Sequence, residues 1–326
     1  MHPAMSVIFL TVLIGAGQGL FIALFTSQLI QPAAIVPEIL GLNFYVIGSI
    51  IVLALLGLGL LSSFFHLGHP ERAWRSVAKW KTSWLSREVI VLPLAMLIIF
   101  LYGIDHYFSF KVALFSLPGG TVVDSTFLLG ALGVVITIAL FICTAMIYGC
   151  IKFLQEWHSP LTVINFSLLG IASGFTLATA YSAYMGTVFT MFFASTALVL
   201  TFIAAIFRVI SLIRNKRIHP KSDLKSAIGV NHPVIKQIAQ GSMGGSFNTR
   251  EYFHGKKMSF VKNMKYLFLT FAFIVPLILL LMSMNYATYL IPAVAFIVQM
   301  LGLLAERWYF FADANHPQNL YYQQIS

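Results

Sequence analysis

Five stretches of this chain, residues 1–37, 39–70, 125–151, 157–207 and 266–305, contain no Asp, Glu, Lys or Arg. Crossing bilayer hydrocarbon as a helix takes roughly 20 apolar residues, so each stretch has room for one or two crossings. Helix is the form such runs take, because it pairs its own backbone N–H and C=O groups where no water can. Charged residues are 9% of the 326, against about 25% in a soluble domain. A soluble enzyme, a disordered tail and a secreted disulfide scaffold are thereby excluded. The pattern specifies an all-α, polytopic integral membrane protein, a bundle of about eight transmembrane helices. The N-terminus, MHPAMSVIF, has neither a basic n-region nor a small-residue cleavage site and reads as a retained first helix.

The spans fall at about 5–30, 42–65, 88–107, 124–151, 160–182, 187–213, 264–284 and 286–311, with Pro and Gly turn signals between them. No internal repeat is visible, which argues against a transporter built from inverted repeats. The chain reads as a single transmembrane domain, 1–326, with one long cytoplasmic loop at about 214–263. That loop holds a short amphipathic helix near 233–239 (PVIKQIA), followed by a Gly-rich passage, 240–255. Eight spans put both termini on one side. Arg72, Arg75, Lys79, Lys81, Arg87, Lys152, Arg307 and the twelve basic residues of 208–265 lie there, and Lys111 alone lies opposite. Lys and Arg accumulate on the cytoplasmic side, so both termini are expected in the cytoplasm. The pI near 9.6 reflects this loop chemistry and implies no nucleic-acid partner.

Few ionisable groups remain for the membrane interior. Glu88, Glu306, Arg87 and Arg307 sit at span ends on the basic side, and Asp105 and Asp124 at the opposite boundary. Proton pumps place such groups near mid-membrane, so a transmembrane proton relay is not expected. Gln18, Asn165 and Gln299 read as interhelical hydrogen-bonding residues. None of the nine histidines (2, 66, 69, 106, 158, 219, 232, 254, 316) lies deep in a span, which excludes a transmembrane pair of haems. Cys143 and Cys150 cannot supply an iron–sulfur cluster and read as packing residues, so no metal site is expected.

What remains is the segment 66–88, HLGHPERAWRSVAKWKTSWLSRE. Trp74, Trp80 and Trp84 suit a membrane interface. His66 and Glu88 sit at the hydrocarbon edge, where a carboxylate needs a partner; Arg87, Arg72 or Arg75 is expected to supply it. Such a pocket suits a quinone, which needs an apolar slot, hydrogen-bond partners for two ring oxygens and a proton-exchanging group. Histidine titrates near neutral pH unperturbed, and a partly buried Glu does so when burial raises its pKa.

The order helix, HLGHPERAW, WLSREV, helix resembles the membrane anchors of the dimethyl sulfoxide reductase (DmsC) family, eight-helix members of three-part molybdoenzymes. The opening MHPAMSVIFLTVLIGAGQG, the loop GGSFNTREYFHGK (244–256) and the ending ERWYFFADANHPQNLYYQ (306–323) resemble a branch that includes anchors of cytoplasmic quinone-linked sulfite dehydrogenases. The resemblance covers essentially the whole chain. It implies a non-catalytic subunit without haem that binds ubiquinone or menaquinone. Partners would be a four-cluster ferredoxin-like iron–sulfur subunit and a catalytic subunit that holds molybdenum bis-pterin guanine dinucleotide. It assigns the quinone to His66 and Glu88, with Arg72, Arg75, Ser86 and Arg87 also matching motif positions. It places the chain in the bacterial cytoplasmic membrane, partners docked on the basic cytoplasmic face. Because the opposite face is nearly bare of charge, sulfite oxidation with electrons passed to quinone is expected over sulfoxide reduction by quinol. Two other readings are an anion transporter or channel, which needs a polar path the sequence lacks, and a structural anchor whose quinone site lies on a partner.

Overall fold

The structure is a computed structural model that describes residues 1–31, 36–110, 112–116, 122–219, 223–236, 254–286, 288–317 and 319. Among the described residues are eight helices long and apolar enough to cross a membrane: α1 (Met5–Ile30), α2 (Phe44–Phe64), α3 (Trp84–Phe108), α4 (Ser125–Gly149), α5 (Pro160–Met185), α6 (Thr190–Lys216), α8 (Met258–Ser283) and α9 (Leu290–Asp313). A short helix, α7 (Leu224–Ile228), lies between α6 and α8. Side-chain caps fix several starts. Asn43, Ser83, Asp124 and Ser159 each accept a backbone N–H from the first turn of α2, α3, α4 and α5.

Two antiparallel hairpins, which the apolar pattern did not announce, join helices at one end of the bundle. β1 (Glu38–Ile39) pairs with β2 (Leu42–Asn43) between α1 and α2, and β3 (Ala113–Ser116) with β4 (Val122–Asp124) between α3 and α4. The first turns through Leu40 and Gly41, both at positive φ, as a type I′ two-residue hairpin turn requires.

The other end, called proximal here, is tied together by hydrogen bonds. Ser62 at the end of α2 donates to the Ser6 carbonyl at the start of α1 (2.9 Å). The Met1 amine donates to the Ala314 carbonyl beyond α9 (2.9 Å). Arg214 of α6 donates to the Gln155 carbonyl between α4 and α5 (2.9 Å). Both described chain ends therefore sit at the proximal end, with the basic residues of 72–87, 152, 214–217 and 256–265. Lys111 lies outside the described residues.

α1 is the central helix and packs on α2, α4, α5 and α9. Its contact with α5 is a glycine seam between parallel helices, in which Gly15 faces Gly170 and Gly19 faces Gly170 and Gly174. Small residues let backbones meet where apolar lipid gives no hydrophobic push. In α8 a π-helical turn, Thr270–Ile274, precedes Pro276, whose missing N–H leaves the Ala272 carbonyl without its α-helical donor. Gly302 of α9 seats against that irregular turn, where a Cβ would come within 2.2 Å of the Ala272 nitrogen.

Several helix ends depart from the apolar runs at the proximal end. α3, α6, α8 and α9 reach further into the basic loops than charge alone suggests. Arg208, Glu306 and Arg307, toward the proximal ends of α6 and α9, are buried inside the bundle, 3%, 0% and 4% exposed. Glu306 Oε1 forms an ion pair with Arg208 Nε at 2.7 Å, and its Oε2 accepts a hydrogen bond from Arg307 Nη1, also at 2.7 Å. In the long loop, residues 233–236 are not helical, contrary to the expected amphipathic helix, and 237–239 lie outside the described residues. The helical turn nearby is instead α7, closed by a capping box between Asp223 and Ser226. Of the Gly-rich passage only 254–255 is described.

Candidate functional site

The segment between α2 and α3 folds back over the proximal end of those helices. α2 stops at Phe64, and His66 follows in a turn. A 3₁₀ helix, Pro70–Lys79, then runs along the surface with Pro at its first turn. After a further turn Ser83 caps α3, accepting from the Ser86 N–H at 3.3 Å.

Beneath this strap lies a cavity of about 250 Å³. α3 contributes Leu85, Glu88, Val89, Leu92 and Pro93, positions that share one face of a 3.6-residue helix. Leu10 of α1, Leu60, Ser63 and Phe64 of α2, and Ala73, Trp74 and Ser76 of the strap complete it, with His66 and Leu67. Its wall is mainly apolar. The volume lies just below the roughly 300–1,000 Å³ typical of ligand pockets, enough for one ring with a tail leaving sideways.

Glu88 is buried and accepts a hydrogen bond on Oε1 from Thr144 of α4 at 2.5 Å. The expected arginine partner is not there. Arg72 is exposed and lies 3.6 Å from Glu71. Arg75 lies over the Trp74 ring, 5.6 Å from its centre. Arg87 stacks on Trp84 at 4.2 Å and donates to the Trp80 and Lys81 carbonyls at 2.9 and 2.8 Å. Arginine forks reach nearby carbonyls and indole faces at the wet surface without entering hydrocarbon, so Glu88 is met by a neutral hydroxyl. Ser86 is buried but lies off the cavity-lining face of α3.

Of the six expected residues, then, His66 and Glu88 share the cavity, while Arg72, Arg75, Ser86 and Arg87 do not line it. Arg87 braces the turn leading into α3. Thr144 and the wall residues Leu10, Ser63, Val89 and Pro93 were not anticipated. Trp74, read as an anchor, is also a cavity wall. Partial burial lowers the pKa of the His66 imidazole from its ordinary value, which favours the neutral ring that can both donate and accept. Among the described residues no group of three or more His, Cys, Asp or Glu is placed to hold a metal ion.

Eight helices long and apolar enough to cross a membrane, with an apolar pocket under the strap at the proximal end, define a multi-pass membrane protein. A family model described as "DMSO reductase anchor subunit (DmsC)" matches residues 1–322. The chain is also 52% identical, over 326 residues and the full length of both proteins, to the C subunit of sulfite dehydrogenase from Allochromatium vinosum. The chain belongs to the DmsC family of membrane anchors.

Proposed function

We propose that this chain is the quinone-reactive anchor of a three-subunit molybdoenzyme. It would pass electrons from an iron–sulfur subunit to the membrane quinone pool during sulfite oxidation. The observation that carries the reading is the meeting of His66 and Glu88 in one apolar cavity at the bundle's proximal end. Full-length similarity to a protein of a sulfite dehydrogenase favours sulfite over a sulfoxide as the terminal substrate. The basic proximal end is, on this reading, cytoplasmic and faces the iron–sulfur and molybdopterin subunits. The whole chain works as one anchor domain in the bacterial cytoplasmic membrane.

The residues fit a quinone. The apolar walls receive the ring, Trp74 roofs it, and the polar groups lie where a ring oxygen would come. The quinone supplies two-electron, two-proton chemistry. Glu88 and His66 are the groups able to hold and pass the protons, and Thr144 holds the Glu88 carboxyl in one orientation. Arg72, Arg75, Ser86 and Arg87 act on the strap and the start of α3, away from the ring.

In the assembled complex, His66→Ala and Glu88→Gln are expected to keep sulfite-dependent reduction of a soluble dye. Quinone reduction should fall about 100-fold, the scale of a lost proton-transfer group. Unchanged quinone kinetics in both variants would remove the site. Thr144→Val, nearly isosteric, is expected to raise the KM for quinone about tenfold while leaving dye reduction intact. That matches the loss of one buried hydrogen bond. An unaltered KM would show that Thr144 does not orient Glu88.

A further inference from the structure

The α3 face that carries Glu88 also carries a proline, and that proline leaves a carbonyl without its helical donor. Pro93 has no N–H to offer the Val89 carbonyl four residues earlier, although the helix runs unbroken from Trp84 to Phe108. A helical carbonyl points along the axis toward the residue four ahead, so this one lies on the line from Val89 to Pro93. Both residues line the cavity. Membrane helices usually satisfy such carbonyls with a neighbouring Ser or Thr hydroxyl or with water. The two serines of the cavity wall are committed elsewhere. Ser63 donates to the Leu60 carbonyl and Ser76 to the Ala73 carbonyl, each at 2.6 Å. Val89 and Pro93 thus bring to the cavity wall a backbone carbonyl that has no N–H to accept from at position 93, next in the chain to Glu88 and in a mainly apolar lining.

A quinone has two ring oxygens that only accept hydrogen bonds, whereas a hydroquinone has two hydroxyls that donate. Against an apolar wall, two facing acceptors leave both desolvated and unpaired, which is costly. Building on the quinone reading of this cavity, we propose that it binds hydroquinone in preference to quinone. The Val89 carbonyl accepts from one ring hydroxyl, and Pro93 is the residue that sets the preference. Glu88 and His66 serve the opposite ring oxygen. Pro93 is a specificity residue acting through the backbone and touches no reacting atom.

The test uses the full chain in lipid nanodiscs, titrated anaerobically with a short-chain benzoquinone, its hydroquinone and the two mono-methyl ethers of that hydroquinone. Quenching of indole fluorescence reads occupancy, because Trp74 is on the cavity wall. The unaltered chain should bind hydroquinone about fivefold to tenfold more tightly than quinone, one net hydrogen bond's worth. One methyl ether, blocked at the hydroxyl facing Val89, should lose that advantage. Pro93→Ala restores an N–H for the Val89 carbonyl, so hydroquinone affinity should drop by the same factor while quinone affinity stays. Equal weakening of both redox forms by Pro93→Ala would assign the proline to packing alone and overturn the proposal. So would equal binding of quinone and hydroquinone by the unaltered chain, a result that holds whether or not the variant folds. Failure of the underlying reading looks different: His66→Ala and Glu88→Gln would then leave every ligand's affinity unchanged.

Discussion

Gly174→Val is expected to leave the chain unable to seat its central helix pair, with little folded protein surviving detergent extraction. A Cβ at position 174 would stand 2.1 Å from the Gly19 carbonyl carbon and 2.2 Å from the Leu20 nitrogen. Those are backbone atoms of α1 and cannot rotate away as a side-chain tip can. Gly19 is constrained from the other side, where its Cβ would lie 2.3 Å from the Gly170 oxygen. Relief needs α1 and α5 to move apart, and α1 is also packed against α2, α4 and α9. Overfilling a well-packed core costs about 1–3 kcal/mol when side chains can adjust, and here the cost should reach or exceed the top of that range. Even Gly174→Ala should melt several degrees below the unaltered chain by thermal-shift or size-exclusion assay. Gly57→Ala on α2 is the control, since a Cβ there meets nothing within 4 Å. Alanine also favours helix over glycine by about 1 kcal/mol, so that variant should melt no lower than the parent. A Gly174→Ala chain as stable as Gly57→Ala would mean that α1 and α5 do not meet at these glycines.

The same seam shows what could be read in the sequence. The spacing Gly15-x-x-x-Gly19 and Gly170-x-x-x-Gly174 is a known signal for close helix contact, but which two helices meet is not encoded in either segment alone. The eight spans were legible because hydrocarbon thickness imposes a length and excludes charge. Their ends were not, because charge is tolerated in a helix once its tip can turn to water or find a partner. Arg87 lies in the first turn of α3 and bends back to the Trp80 and Lys81 carbonyls, so the helix starts at Trp84 rather than at Glu88. The pairing of His66 with Glu88 was suggested by their places at two helix ends. Thr144, the actual partner of Glu88, was not, since one threonine in an apolar helix carries no pattern. Its role appears only when α3 and α4 pack. The same holds for Val89 and Pro93, since only the strap folded over α3 turns their face into a cavity wall.

The second large effect is expected at the buried ion cluster on α6 and α9. Glu306→Gln leaves two guanidiniums, Arg208 and Arg307, inside the bundle with no carboxylate between them. One negative and two positive groups already give the cluster an excess positive charge. Aromatic faces moderate it: Arg307 lies 3.6 Å from the centre of the Phe166 ring and Arg208 5.3 Å from that of Phe268. Rings can soften one unmatched cation but not two desolvated ones that repel each other. Removing one partner of a buried ion pair costs about 3–5 kcal/mol, so Glu306→Gln should fold poorly and melt far below the parent. The loss should change little between low and high salt, because screening acts on exposed charges. The decisive comparison is a combination. Adding Arg208→Met and Arg307→Met to Glu306→Leu removes all three charges while keeping volume, and apolar replacement of a whole buried cluster is often neutral or stabilising. The triple variant should therefore recover most of what Glu306→Gln loses. A triple variant less stable than Glu306→Gln would mean that the arginines hold α6 and α9 through contacts other than Glu306. Additive single-variant losses would likewise mean that the three groups do not act as a unit.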